Sequence, residues 1–502
     1  MSFVDKDLLS IQEARILMEN AIEARKNMAY FPQERLDQIA ASMTKAVKNH
    51  LRELAKMSCE ETGYGNEEDK YRKNTSICEY LEAELQGKRY VGILQEDKEK
   101  KTMDVGIPLG ILASLLPAES PVSTALYQAL IAVKSGNVIV FVPQERAKRT
   151  TAKVLEILAE AAREGGLPDG ALSYMTTISE KGIQELLHHS GVSMILNTGV
   201  REWAVEAGKT GKPYIYGGTG NGPVFIERTA DIHQAVKDIV ASRYFDYGIM
   251  PGAEQYVVAD SCVAHEVRKE FQACGGYFMS LEEEEKLSRL LCLDKGSQDP
   301  ELVGKSVKEL ARRAGFTIPD TAKVLISEQK YISDKNPYAR ELLCPVLVYY
   351  IENDWIHACE KCLELLAENR NGHTLVIHSK DEEVIRQFAL KKPVGRILVN
   401  TPAVFGSMGV TTNLFPAMTL GSVTAGMGIT ADNVSPSNLT YIRKVGYGVR
   451  NVSEPECKVK ETVQKAEETV RNAEMDHRSQ HDESDLTDVF RKLMEWMSEE
   501  QE

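Results

Sequence analysis

No stretch of this 502-residue chain approaches the roughly eighteen apolar residues in a row that a bilayer-crossing helix needs, so a helical membrane span is excluded. The opening MSFVDKDLLSIQEARILMENA also lacks the unbroken apolar run of a signal peptide; charged residues interrupt it as in an amphipathic helix. Positive charge is in deficit, with a net charge of −14, which argues against nucleic acid as a partner. The nine cysteines are odd in number, scattered and without framework spacing, which suits a reducing compartment, and the expected location is the cytoplasm. Cys359 and Cys362 stand alone as a CxxC pair in HACEKCLELLAEN, with no second pair or histidine set beside them. A buried helix face is expected there in place of zinc or redox chemistry, and no metal site is expected anywhere.

The chain does have a 43% hydrophobic content, enough for a large core spread over two or three domains. Apolar residues at three- and four-residue spacing predict helices from about Leu8 to Leu85. Tyr90 to Leu94 and Thr102 to Ile107 read as strands around the charged loop QEDKEKK, a hairpin suited to subunit contact. From Gly106 to Ile226 strands alternate with helices, and a second alternating unit runs from about Ile232 to Pro402. This α/β pattern predicts parallel sheets with helices on their faces, the layout that binds nucleotides at the carboxyl ends of its strands. Asn438 to Gly448 reads as a last strand that could pair with another subunit.

The end differs from the rest. From Ser453 onward there are 15 acidic and 7 basic residues, and Lys458 to Gln480 is nearly devoid of large apolar side chains, as in a solvated linker. In SDLTDVFRKLMEWMSEEQE, Leu486, Val489, Phe490, Leu493 and Met497 form one helical stripe, with Ser484 or Asp485 as N-cap. So short a helix is marginal alone, and its apolar face calls for a partner, which predicts a docking element on a tether ahead of a helix folded back on its own domain.

The stretches GIPLGILASLLPAESPVSTALYQALIAVKSGNVIVF, GKPYIYGGTGNGPVFIERTADI, FDYGIMPGAEQ, KNPYARELLCPVL, RILVNTP and TTNLFPAMTLGSVTAGMGITADNV together resemble the CoA-acylating aldehyde dehydrogenases. That group includes the aldehyde half of bifunctional aldehyde–alcohol dehydrogenases and enzymes of bacterial microcompartments. The resemblance covers about Leu8 to Val449. It implies an aldehyde dehydrogenase-like fold with a nucleotide-binding domain, a catalytic domain and a small oligomerisation arm. The expected division is N-terminal helices, the hairpin of about 90–107 and nucleotide-binding domain in 1–240, a catalytic-type domain in 241–430, an oligomerisation strand in 431–450, a charged linker in 451–483 and an amphipathic helix in 484–502.

In that family a cysteine thiolate attacks the aldehyde, a backbone N–H at the cysteine and an asparagine amide hold the oxyanion, NAD takes the hydride and CoA the acyl group. Here the nucleophile's position is Pro251, which has neither thiol nor N–H, and the asparagine's position is Ser120. The glycine-rich cofactor turn reads GVREW, keeping Gly199 alone, and Gln144 stands in FVPQERAKR where the family differs; both are the expected dinucleotide contacts. Glu341 matches the glutamate that holds the nicotinamide ribose, and His373 matches a histidine near the site. Tyr216 and Met427 occupy usual glycines, and Ser422 a usual cysteine. Cys262, eleven residues after Pro251, is expected to be a buried core thiol beyond the following strand.

So many changes in one pocket predict a family member that kept its fold and lost its catalysis, serving as a structural or assembly subunit. It would form homo-oligomers and meet an active paralogue or a microcompartment shell protein through 484–502. The alternatives are an NAD- and CoA-dependent aldehyde dehydrogenase with an altered mechanism and a displaced thiol, or a non-catalytic nucleotide or acyl-CoA sensor.

Overall fold

A computed structural model describes residues 5–218, 220, 222–291, 298–333, 336–368 and 372–450. The expected linker of 451–483 and terminal helix of 484–502 lie outside the described residues. The chain divides into two compact units, 1–97 with 103–445, and 98–102 with 446–502. All elements below belong to the first, apart from the last residue of one strand and the first of another.

The order begins with four helices, α1 (Lys6–Met28), α2 (Gln33–Lys48), α3 (Leu51–Thr62) and α4 (Glu67–Leu85). Then come β1 (Gly92–Asp97), β2 (Thr102–Pro108), β3 (Ile111–Leu115), α5 (Pro121–Lys134), β4 (Val138–Val142), α6 (Lys148–Glu164), β5 (Leu172–Tyr174), α7 (Glu180–His188), β6 (Val192–Asn197), α8 (Ala204–Lys209) and β7 (Tyr214–Tyr216). The second half runs β8 (Pro223–Ile226), α9 (Ile232–Tyr244), β9 (Tyr256–Asp260), α10 (Ala264–Ala273), β10 (Gly276–Phe278), α11 (Leu281–Leu291), α12 (Val307–Ala314), β11 (Val324–Glu328), β12 (Val346–Glu352), α13 (Trp355–Glu368), β13 (Thr374–His378), α14 (Glu382–Lys391), β14 (Arg396–Val399), α15 (Ala403–Ser407) and β15 (Thr440–Gly446).

A five-stranded sheet is ordered β5-β4-β3-β6-β7 and a seven-stranded sheet β10-β11-β12-β9-β8-β13-β14, with parallel pairing throughout both. The expected hairpin forms and gains β15 beside β2 in a third sheet. Strands β8 and β10 escaped the periodicity reading, being only four and three residues long. Because β8 pairs with β9 and β13, the catalytic-type sheet draws on residues ahead of the boundary expected at 240.

Alternation along each strand of the larger sheet divides its core in two. Tyr256 and Val258 pack with Val346, Val348 and Tyr350 on one face, while Val257 and Ala259 pack with Leu347 and Tyr349 on the other. Helix α5 is buried on all sides, with its N-cap at Ser120. Cys359 and Cys362 lie on the buried face of α13, as their spacing predicts. Cys262 corrects its expectation: it stands in the turn just past β9 and is exposed, because the apolar run ends at Asp260, whose carboxylate pairs with Arg228 at 2.9 Å.

His378 closes β13, buried, with its Nε2 lacking any hydrogen-bond partner and its pKa pushed down to about 4 by desolvation. The native ring stays neutral between pH 6.5 and 4 while the unfolded chain takes up a proton, so stability falls as pH drops through that window. Compared with His378→Gln, the natural chain is expected to lose about 3 kcal/mol more between pH 7 and 4, read from urea unfolding at each pH. Equal slopes would refute the assignment.

Candidate active site

The stretch Phe245–Gln255 links α9 to β9. Asp246 and Tyr247 both take left-handed backbone angles, φ 50° and 55°, a conformation that costs a non-glycine residue roughly 1 kcal/mol or more. Asp246 is held there by four contacts. Its carboxylate accepts from Lys73 Nζ at 2.9 Å, Lys70 Nζ at 3.1 Å and the Asn66 N–H at 3.0 Å, while its own N–H donates to Asp69 Oδ2 at 2.8 Å. Gly65 is obligatory beneath it, since a Cβ there would sit 1.8 Å from Asp246 Oδ1.

Both lysines are buried. Desolvation lowers the pKa of Lys73, although the Asp246 charge opposes it; the two ammonium groups hold the Asp246 pKa below its ordinary value despite burial. The sequence reading missed this cluster. The signal was present, because the buried stripe Ile77, Cys78, Leu81 and Leu85 of α4 extends back at helical spacing to Asn74, Lys73 and Lys70.

After the turn, Met250 accepts a hydrogen bond from the Ala253 N–H at 3.0 Å, leaving Pro251 inside a tight turn. A cavity of about 90 Å³ opens beside it. Pro251, Ser120, His373, Glu341 and Gly199, scattered through the sequence, all line it. Gln144 does not. Its amide lies 3.4 Å from Glu202, outside the cavity, because β4 ends at Val142 and the chain turns away. No cysteine lines the cavity among the described residues; Ser120, Thr124, Thr198, Ser407 and Tyr216 are its hydroxyl-bearing residues.

Each retained residue is engaged. Glu341 accepts the Gly220 N–H at 2.8 Å, and desolvation raises its pKa. Gly220 itself passes so close that a Cβ would meet the Pro251 carbonyl at 2.1 Å. His373 is buried, shares a 2.8 Å hydrogen bond with Thr374 Oγ1 and is held neutral, its pKa lowered by desolvation and then by Arg396. Ser120 Oγ accepts from Lys73 Nζ at 2.9 Å and contacts Met250 Sδ at 3.4 Å. Ser422 donates within its loop toward the Tyr216 and Gly426 carbonyls, at 3.0 Å each.

Met427 shows what a lost glycine costs. It keeps φ 63° and is 46% exposed, so its side chain gains little from packing. Met427→Gly is expected to stabilise the chain by about 0.5–1 kcal/mol, the strain relieved less the flexibility added to the unfolded state. A lowered urea midpoint would refute this.

A profile of the aldehyde dehydrogenase family matches residues 8–274. The chain belongs to that family. A probable aldehyde dehydrogenase from Listeria monocytogenes is 42% identical, with a TM-score of 0.87 over 90% of this chain and 99% of that one. An acetylating aldehyde dehydrogenase from Geobacillus thermoglucosidasius is 37% identical, with the same score and coverage. The bifunctional aldehyde-alcohol dehydrogenase of Escherichia coli is 33% identical over 88% of this chain, and this chain spans about half of that relative's length. A propionaldehyde dehydrogenase from a fucose utilisation microcompartment of Clostridium phytofermentans is 25% identical, with a TM-score of 0.78 over 87% of this chain and 98% of that one. The relatives place this family member with the CoA-acylating aldehyde dehydrogenases.

The family implies NAD and CoA. In this family member the turn after β6 holds Gly199 at φ 75°, then buries Val200 and projects Arg201, Glu202 and Trp203 before the six-residue α8. The adjoining groove, about 600 Å³, carries Glu145, Glu180, Glu202 and Glu206 against Lys6 and Lys209. Four carboxylates facing two ammonium groups oppose a pyrophosphate, and Glu341 is already bonded to Gly220. The residues present do not fit the dinucleotide, and among the described residues no thiol lines the cavity to pass an acyl group to CoA.

Proposed function

We propose that this chain is a catalytically degenerate CoA-acylating aldehyde dehydrogenase that serves as a structural or assembly subunit. The observation that carries the reading is Pro251 in the cavity, with no thiol beside it among the described residues. Proline removes the nucleophile and one oxyanion donor together, and Ser120 stands in the place of the other. An altered mechanism with a displaced thiol finds no support in the cavity lining, and a nucleotide sensor finds none in the acidic groove.

The family setting and the amphipathic stripe of 484–502 support docking onto a microcompartment shell protein, with the body of the chain forming family-type oligomers. Deleting Asp482 to Glu502 is expected to abolish co-purification with shell protein in co-expression while leaving the oligomer's size unchanged by light scattering. Capture that survives the deletion would end the docking proposal; NAD binding at micromolar concentration by calorimetry would favour the sensor.

A further inference from the structure

Ser120, the residue that replaces the oxyanion asparagine, sits in a setting that dehydrogenase chemistry does not use. Its hydroxyl lines the cavity, and Lys73 Nζ approaches it at 2.9 Å from the buried side. Lys73 does not line the cavity and is 1% exposed. A hydroxyl facing a substrate space with a solvent-shielded amine behind it is the arrangement of a serine nucleophile with a lysine base. We propose that Ser120 and Lys73 form such a pair, which takes acyl groups from short-chain esters or thioesters and hydrolyses them. This goes beyond the assembly role and does not depend on it.

Burial favours the neutral amine of Lys73, and so does the Lys70 charge, while Asp246 and Asp69 oppose it. Lys70 and Asp69 lie on its own helix, Asp246 on the turn before Pro251, Glu119 next to Ser120, and Cys59 on α3. Among the described residues Asp246 is the one carboxylate hydrogen-bonded to either lysine, so these three side chains sum to neutral with one lysine charged and to a net positive charge with both. Burial lowers the Lys73 pKa, in agreement.

The cavity supplies two further features. Ser120 is the N-cap of α5 with no side-chain cap hydrogen bond, so the positive end of the helix lies at the cavity wall that Ser120 lines. Thr124 Oγ1, on the cavity lining and buried, has no hydrogen-bond partner and is available to a substrate carbonyl. The volume of about 90 Å³ suits a short acyl chain.

In the reaction the Ser120 Oγ–carbonyl carbon bond forms as the hydroxyl proton passes to Lys73 Nζ. The bond to the leaving alcohol or thiol breaks, and Lys73 returns the proton to it. Water then attacks the Ser120 ester, again giving a proton to Lys73, and the carboxylic acid departs as Ser120 recovers its proton. No oxidant or reductant takes part.

The test uses the full chain with p-nitrophenyl acetate and without NAD. The expected result is an acetyl group on the Ser120 peptide by mass spectrometry, and p-nitrophenol release that rises with pH as Lys73 deprotonates. Ser120→Ala should lower release roughly a hundred-fold or more and leave no labelled peptide; Lys73→Arg, which keeps the charge and cannot act as a base, should do the same to release. Unlabelled Ser120 in the natural chain, label on another residue, or release unchanged in Ser120→Ala would overturn the proposal. Should a variant fail to fold, the location of the label on the natural chain decides.

Discussion

Pro251→Cys is expected to place an alkylatable thiol in the cavity and yet form no NADH from acetaldehyde or propionaldehyde with CoA, and the natural chain is expected to form none either. On the proposed reading the thiol restores one part of a site that has lost several. Cysteine brings back the nucleophile and a backbone N–H, but Ser120 still stands where the second oxyanion donor belongs, and one such donor is worth about a hundred- to a thousand-fold in rate. The dinucleotide groove remains acidic around Glu145, Glu180, Glu202 and Glu206, and Glu341 remains bonded to Gly220. Iodoacetamide labelling at position 251 shows that the thiol is present, and absorbance at the NADH band reads the reaction. NADH from the natural chain would end the degenerate reading; NADH from Pro251→Cys alone would show that the groove accepts NAD and that the cysteine was the one missing part.

The second large effect concerns stability. Asp246→Asn keeps the shape and the tolerance of left-handed φ that asparagine shares with aspartate, so it isolates the charge. The variant leaves Lys70 and Lys73 buried without their shared carboxylate, and removing one partner from a buried ion pair typically costs about 3–5 kcal/mol. The expected result is a loss of that size in urea unfolding at neutral pH. The folded pKa of Asp246 lies below the ordinary 3.8, so its contribution is fully present above pH 3.8 and disappears as pH falls through the folded value. The gap between natural chain and variant should therefore persist through mild acid and close only in strong acid. A deficit below about 1 kcal/mol at pH 7 would mean that the lysines shed their protons at little cost, leaving Asp246 a minor role.

These two residues mark the line between what was legible in the sequence and what was not. The strand–helix alternation, the hairpin before Pro108 and the proline at position 251 were all readable, because period and residue type are local properties. Two short strands were not. β8 and β10 were not read, and their parallel partners define them.

The sequence alone determined the architecture and the residue types that the proposed loss of catalysis rests on. Tertiary structure decided what occupies the vacated site. Ser120 and Lys73 are 47 residues apart and Lys73 and Asp246 are 173 apart, and nothing within one helix turn shows that an ammonium group will be buried against a hydroxyl and a carboxylate. Burial changes the energy of a charge far more than its neighbours in the chain do, and burial is set by which elements pack together. For the same reason Cys262, assigned to the core from its strand-like surroundings, emerged at the surface, while the two lysines of α4 are buried beside the cavity.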